Sequence, residues 1–182
     1  MKPILFLIFL CALFAPHTAN AHQRTWPGKR LAEVMPSASK FTERAVTLRA
    51  DQVAWVEKSL GEGIRTEDKT PSFYVGVDDK GRSIGVVVFV DATGDNGKIE
   101  IGVAIDPSGA VMKVSMFEHS ESGAVSSKEY LGEFTGKKAG DKFKLGEDVK
   151  APSGGGKAGQ AIATATRRAL LLVMAGLRLE AK

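Results

Sequence analysis

The sequence of 182 residues has a single cysteine, Cys11, and only three histidines. Cys11 lies in an apolar segment near the amino terminus that we expect to be removed, so the mature chain has no thiol. This excludes disulfides, thiolate metal sites, iron–sulfur clusters and the Cys-x-x-Cys-His attachment of c-type haem from the mature chain. Its stability must come from a packed core, which roughly 160 residues are enough to build.

The apolar segment is too short for a transmembrane helix. It runs over residues 4–14, about eleven residues, whereas a membrane-spanning helix needs about twenty. Lys2 precedes it, and Pro16 and an Ala-Asn-Ala sequence ending at Ala21 follow. This order predicts a secretory signal peptide over residues 1–21 and a periplasmic or otherwise exported protein. A retained membrane anchor is the alternative.

The sequence also lacks a marked excess of positive or negative residues, because the formal net charge is only +4 at pH 7. Loss of Lys2 with the signal segment lowers the net charge from +4 to +3. Basic residues are interspersed with acidic ones, as in Glu57-Lys58 and Glu67-Asp68-Lys69. No nucleic-acid groove is therefore predicted.

Signatures of catalysis are likewise absent from the sequence. No Ser/His/Asp arrangement, paired-carboxylate signature or Cys/His cluster stands out, which disfavours a hydrolase. His119 lies between Glu118 and Glu121, but these supply too few ligands for a metal site. The glycine run at 153–157 lacks the spacing of a P-loop, which excludes a nucleotide triphosphatase. This run is either a flexible connector or a point where a ligand approaches the backbone.

The chain after residue 21 begins with an irregular lead-in, from His22 to about Lys40. A short helical segment at 30–35 should end before Pro36. An amphipathic helix is predicted from Arg49 to Leu60, and we assign Trp55 to its core-facing side.

The middle of the chain predicts β-structure. Four segments rich in β-branched and aromatic residues are separated by turns that contain glycine, Asp or Asn. They predict an antiparallel four-stranded meander, whose first strand follows Pro71 and is expected at an edge. The four segments are Phe73–Val77, Ile84–Val90, Ile99–Ile105 and Val111–Phe117.

Two more helices complete the predicted fold. One covers residues 126–134, and a long apolar helix runs from about Gln160 to Leu179. The fold class is α+β: a four-stranded meander covered by helices, including the long C-terminal one. We divide the chain into the signal peptide, a lead-in with one helix at 22–71, and a main domain at 72–182.

The beginning of the predicted last helix is the most informative feature. Residues 159–166, Gly-Gln-Ala-Ile-Ala-Thr-Ala-Thr, place small residues around two threonines. The first turn of a helix offers unpaired N–H groups and a positive dipole end to a phosphate, and small side chains permit close approach. Thr164 is therefore a candidate phosphate contact. The plain alternative is a threonine that caps the helix or faces solvent.

Residues 161–170, Ala-Ile-Ala-Thr-Ala-Thr-Arg-Arg-Ala-Leu, resemble a degenerate form of the Ser-Gly-Ala-Thr-x-Thr-Ser motif of the FMN-binding domain family. Residues 119–123, His-Ser-Glu-Ser-Gly, are similar to that family's His-x-Glu-Thr-Pro-Gly turn. The family includes the flavin-carrying periplasmic subunits of Rnf-type and sodium-pumping NADH:quinone reductase complexes. Departures are Ala161-Ile162 in place of Ser-Gly, Ala158 in place of an aspartate, and a turn without proline.

The resemblance implies an FMN cofactor, which a flavin transferase would link through its phosphate to Thr164. Thr166 and the backbone of the neighbouring helix residues would assist, and the 119–123 turn would shape the pocket for the flavin ring. Whether FMN is covalent or non-covalent stays open. The implied cofactor-binding residues are Thr164, Thr166, Ala161, Ile162, Ala163, His119, Glu121, Ser122 and Gly123.

The function that follows is an exported FMN-binding electron-transfer protein, a carrier rather than a stand-alone enzyme. Its partners would be redox proteins, including a membrane electron-transfer complex. Tyr130 and Phe134 would either help to cover the flavin ring or pack in the core. The competing hypothesis is a flavin-free binding or accessory module of a membrane complex, in which the motif has decayed.

Overall fold

The computed structural model of the chain describes residues 27–177. The predicted signal peptide, its cleavage after Ala21 and the predicted end of the last helix at Leu179 lie outside these residues. The elements in chain order are α1 (Gly28–Val34), β1 (Lys40–Ala45), α2 (Ala50–Leu60), a 3-10 turn (Glu67–Lys69), β2 (Ser72–Val77), β3 (Ser83–Thr93), β4 (Lys98–Ile105), β5 (Val111–Met116), α3 (Lys128–Gly132) and α4 (Gly156–Leu177).

The sheet is antiparallel throughout, with the strand order β1-β2-β3-β4-β5. The four predicted strands are confirmed, but the count of four is wrong because β1 adds a fifth. β1 pairs with β2 from Lys40 opposite Val77 to Ala45 opposite Ser72, so β2 is not an edge strand. β1 escaped prediction because its sequence, Lys-Phe-Thr-Glu-Arg-Ala, has little apolar periodicity and is mostly exposed.

The two early helices lie close to their predicted positions. α1 ends at Val34, before Pro36, and α2 ends where Gly61 takes the left-handed conformation with φ of 86°. The assignment of Trp55 to the core is wrong, because this side chain is 41% exposed. Val56 is the fully buried residue of α2, and Trp55, the preceding residue, lies off that buried stripe.

The last helix begins at Gly156, four residues before the predicted start at Gln160. Gly154 has φ of 70°, and the carbonyl of Gly155 accepts a hydrogen bond from the N–H of Gly159 at 2.7 Å. The glycine run is therefore the entry into α4 rather than a flexible connector. Helix propensity predicts a later start, since glycine is a poor helix former.

The sheet has an apolar cluster on each face. α4 packs on β3 and β4, and α2 packs on α4, so the larger cluster lies between this helical layer and the sheet. α1 covers the other face. No helix within residues 27–177 combines the length and apolar character needed to cross a membrane. The buried residues of the α1-side cluster are Leu31, Val34, Met35, Tyr74, Val87 and Ala104.

Candidate functional site

Thr164 lies in the third turn of α4, as its ninth residue, and not in the first turn. At this depth the backbone N–H groups are used inside the helix, bonded to carbonyls four residues earlier. The Thr164 hydroxyl accepts a hydrogen bond from the side-chain amide of Gln160 at 3.3 Å. The predicted position at a helix start is therefore wrong, while a role of Thr164 in flavin attachment stays a prediction.

The neighbours of Thr164 face the core. Thr166 is fully buried, and its hydroxyl donates to the carbonyl of Ile162 at 2.8 Å. Ile162 and Ala163 are also fully buried, and Ala161 is half-buried. Their backbone amides belong to the helical ladder. This arrangement provides packing between α4 and the sheet rather than free amide donors.

Gln160 has a role that sequence reasoning missed. Its side-chain amide donates to the carbonyl of Phe143 at 2.9 Å, and its side-chain oxygen accepts from the N–H of Leu145 at 3.1 Å. Phe143 has φ of 53°, a conformation that is uncommon for a non-glycine residue. Gln160 thus fixes the loop after α3 against the second turn of α4, next to Thr164. A lone glutamine gives no sequence signal for such a contact.

The first turn of α4 contacts the turn between β3 and β4. The N–H of Ala158 donates to a carboxylate oxygen of Asp95 at 3.2 Å. An acceptor at this place satisfies one of the free N–H groups of a helix start, and its negative charge is favourable there. Asp95 is 63 residues away in sequence, which is why local pattern reading did not find it.

The 119–123 turn contacts the same β3–β4 turn. Glu121 accepts from the N–H of Asn96 at 2.8 Å and from its side-chain amide at 3.3 Å. A Cβ on Gly94 would lie only 2.3 Å from the Glu121 carboxylate, so a side chain at residue 94 would displace this carboxylate from its present position. The carbonyl of Ser122 accepts from the N–H of Val125 at 3.2 Å.

The glycine run also touches the segment after this turn. A Cβ on Gly155 would lie 2.4 Å from a methyl carbon of Val125, so the two segments are in close contact. The hydroxyl of Ser126 donates to the carbonyl of Gly123 at 3.3 Å and holds this segment in place. The 119–123 turn, the β3–β4 turn and the first turn of α4 are therefore adjacent. Thr164 lies roughly 12 Å further along the helix axis.

His119 is half-buried, and its Nδ1 is a buried atom without a hydrogen-bond partner among residues 27–177. A buried polar atom without a partner is costly, and it marks a place where a bound group can pair. The described residues contain no group of three or more potential metal ligands. The free Nδ1 is thus the one feature of the 119–123 turn that its own contacts do not explain.

The aromatic residues near α4 are core residues. Tyr130 and Phe134 pack edge to face with ring centroids 5.3 Å apart, and Phe143 stacks on Phe134 at 6.2 Å. The hydroxyl of Tyr130 donates to the carbonyl of Gly159 at 2.6 Å, and burial raises the pKa of this hydroxyl. All three rings are at most 4% exposed. They stabilise the contact of α3 and its following loop with α4, which agrees with the core-packing alternative.

Fold and site together define an α+β domain with a five-stranded antiparallel sheet and a long C-terminal helix. No protein-family model matches this chain, and no curated protein matches it. Among solved structures, the crystal structure of Shewanella oneidensis NqrC is similar, with 24% sequence identity and a TM-score of 0.47. The match covers 54% of this chain and 54% of that one, so the chain spans about half the length of that structure.

Proposed function

We propose that this chain is an exported FMN-binding protein that transfers electrons between redox partners, including a membrane electron-transfer complex. The observation that carries the proposal is the contact of the 119–123 turn and the first turn of α4 with one β3–β4 turn. Both sequence segments that resemble the FMN-binding domain family are thus connected to the β3–β4 turn. Residues 119–123 contact it directly, and residues 161–170 belong to the helix whose first turn contacts it. Bound FMN would supply the electron transfer, and this chain would hold and orient it.

The phosphate of FMN fits the first turn of α4 better than the third. The N–H groups of Gly156 and Lys157 belong to the first helical turn and have no acceptor within the helix. Lys157 adds an exposed positive charge, and the helix dipole favours an anion. Because Asp95 accepts from Ala158, a phosphate would compete with that carboxylate. The N–H groups of Gly156 and Lys157 are not involved in this competition, and on their basis we propose that FMN binds non-covalently at this end of α4.

A covalent link at Thr164 is the other form of the same function. It requires a flavin transferase and the Thr164 hydroxyl, which is half-buried and accepts a weak hydrogen bond from Gln160. The buried Nδ1 of His119 is a suitable partner for a polar group of the cofactor in either form. The buried rings of Tyr130 and Phe134 are not available for stacking on the flavin.

A flavin-free accessory module is the second candidate, and one observation favours it. The carboxylate of Asp95 already satisfies the Ala158 amide at the start of α4. Together with the place of Thr164 in the third turn, this leaves a helix start that is stable without a ligand.

The test is to purify the protein from the periplasm of a host that contains a flavin transferase and to record its visible absorbance. Acid precipitation then separates the forms. Colour that remains with the pellet supports covalent attachment, and colour released to the supernatant supports non-covalent FMN. A protein that stays colourless after incubation with FMN contradicts the proposal and favours the accessory module.

A further inference from the structure

The two edges of the sheet differ in how they are protected. β1 forms one edge, is almost entirely exposed and carries Lys40, Glu43 and Arg44. Charged side chains on an edge strand discourage pairing with another chain. β5 forms the other edge and contains only one charged residue, Lys113.

The first part of the β5 edge is already paired within the chain. The N–H of Val111 donates to the carbonyl of Lys137 at 2.9 Å, and the N–H of Gly136 donates to the carbonyl of Val111 at 2.8 Å. Ala110 and Lys138 form an antiparallel bridge. Residues 136–138 thus pair with the beginning of β5, and this pairing reaches no further along the strand.

The rest of the edge has free backbone groups. The N–H of Phe117 donates to the carbonyl of Glu100, so residue 117 points its N–H towards β4. Successive residues of a strand direct their backbone groups to opposite sides. Ser115 therefore also directs its N–H and C=O groups towards β4, whereas Val114 and Met116 direct theirs away from it. Within residues 27–177 these outward groups have no hydrogen-bond partner. Val114 is only 3% exposed, so leaving its backbone unpaired is costly.

A cleft of about 320 Å³ lies along this edge. β5 forms one wall of the cleft, and Leu131, Gly132 and Thr135, from α3 and the turn after it, line the opposite side. Ser115 also lines the cleft, is 5% exposed, and has a hydroxyl without a hydrogen-bond partner among the described residues. The backbone groups of Val114 and Met116 and the hydroxyl of Ser115 therefore all offer unpaired hydrogen-bonding groups to the cleft.

We propose that this cleft binds an extended segment of a partner protein, which pairs with Val114 and Met116 as a sixth strand. Strand addition uses main-chain hydrogen bonds for affinity and alternate side chains for specificity. The cleft is lined by the apolar side chains of Val114, Met116 and Leu131, which suit an apolar residue of the partner.

The charges of the cleft indicate an acidic partner segment. Lys113 and Lys128 are both exposed at its rim, and Glu33 is the only acidic residue among those that line it. The ammonium group of Lys113 donates to the backbone carbonyl of Glu33 at 2.6 Å, and this contact holds the group near the edge. An acidic side chain next to the apolar residue of the partner would pair with these lysines.

The first test needs no ligand. Amide hydrogen exchange of the whole protein should show faster exchange at Val114 and Met116 than at Ser115, whose N–H lies within the β4–β5 ladder. Equal protection of all three amides would mean that the edge is already covered, which would overturn the proposal.

The second test uses a synthetic peptide, acetyl-Thr-Val-Glu-Val-Thr-Val-amide, as the probe. Binding should slow exchange at Val114 and Met116 by about tenfold or more. An analogue that is N-methylated at every residue lacks the donors of a strand on both of its edges and should not bind, and a lysine analogue should bind more weakly. Equal binding of the N-methylated analogue, or no protection by any of the three peptides, would refute strand addition.

Two matched variants locate the site. Gly132→Leu adds a bulky side chain on the α3 side of the cleft without changing the sequence of β5, and Gly140→Leu makes the same change elsewhere; both glycines have open space at the Cβ position and no positive φ. Only the first should abolish peptide binding. Lys128→Glu should weaken binding of the acidic peptide, and Lys80→Glu, in the β2–β3 turn, should not. Equal effects within either pair would place binding outside the cleft.

Discussion

Arg168 of α4 and Asp68 of the 3-10 turn form an almost completely buried ion pair, with Nε 2.9 Å from a carboxylate oxygen and both side chains 6% exposed. Although the atoms are close, the Nε group is not aligned as a hydrogen bond to this carboxylate. A terminal nitrogen of Arg168 also donates to the carbonyl of Asp91 in β3. The pair therefore ties the segment before β2 to both the last helix and the sheet.

For this ion pair, we expect the free-energy cost of removing both charges from water to be as large as the attraction between them. Removing Arg168 should leave an ionised carboxylate without a partner in the interior, so Arg168→Met should lower the free energy of unfolding by about 3–5 kcal/mol at neutral pH. The double variant Asp68→Leu/Arg168→Met should recover this loss, because apolar residues often replace a buried pair without cost. Urea denaturation of the two variants and the parent measures both effects. A double variant as unstable as Arg168→Met would show that the ion pair itself is stabilising.

The pH dependence of the free energy of unfolding should reflect the titration of the Asp68 carboxyl group. Burial raises the pKa of its carboxyl above the ordinary value of 3.8, and the charge of Arg168 offsets this only in part. The folded state thus binds this proton more tightly than the unfolded state, so the stabilising contribution is complete below pH 3.8 and is lost as pH rises through the folded-state value.

Asp68→Asn removes this titration and is the comparison to make. The stability of the variant relative to the parent should rise between acid and neutral pH. Parallel stability curves for the two proteins would show that the arginine balances burial, and a relative loss by the variant at neutral pH would show that it outweighs burial; either result contradicts the prediction. Asp51→Asn, at an exposed carboxylate of α2 whose pKa is lowered by its hydrogen bond from Arg49, should show the opposite trend.

Much of the fold could be predicted from the sequence, because the elements that bury apolar residues have a clear period. The predicted boundaries of the strands β2 to β5 and of the helix α2 lie within three residues of the observed ones, and the largest difference is at the end of β3. The exceptions are elements that other forces stabilise. β1 is held by ladder hydrogen bonds with little burial, and α4 begins in a glycine run whose contacts with Val125 and Asp95 are tertiary.

The candidate site also has parts that the sequence predicts and parts that depend on contacts between distant segments. The sequence marked the 119–123 turn and the region of the last helix, and these do meet one β3–β4 turn. It did not reveal Asp95, Asn96 or Gln160, since their roles depend on partners that are 15 or more residues away in the chain. A four-residue error in the start of α4, about one turn, was enough to move Thr164 from near the helix start, as its fifth residue, to the third turn, as its ninth.

Gly176 should be required for packing despite its place in a helix. Gly176→Ala should gain up to about 1 kcal/mol of helix propensity, but the new Cβ would lie 2.4 Å from the ring of the fully buried Phe73. Such overpacking costs about 1–3 kcal/mol, so we expect a net loss of stability. In a Phe73→Leu background the same change should be neutral or stabilising. Thermal denaturation of the four proteins measures this, and equal effects in both backgrounds would contradict the clash.

Thr164 can be tested with variants of nearly equal size. Thr164→Val removes the hydroxyl, and Thr164→Ser keeps it. Since the hydroxyl makes only one 3.3 Å contact, both variants should fold with little loss of stability. If FMN is covalent, acid-precipitated Thr164→Val should be non-fluorescent while Thr164→Ser keeps its flavin. Fluorescent pellets from both variants would exclude Thr164 as the attachment point.

Asp95 should control anion binding at the start of α4. Its carboxylate accepts from Ala158 and lies where a phosphate would bind, so Asp95→Asn removes a competing negative charge and keeps an oxygen acceptor for the helix. We expect FMN to bind about five- to tenfold more tightly to this variant, by fluorescence titration, with stability nearly unchanged. Asp79→Asn makes the same charge change in the β2–β3 turn and should leave affinity unaltered. Equal affinity of Asp95→Asn and the parent would place the phosphate away from the first turn of α4, because the loss of a carboxylate charge next to a bound phosphate must strengthen binding at that point.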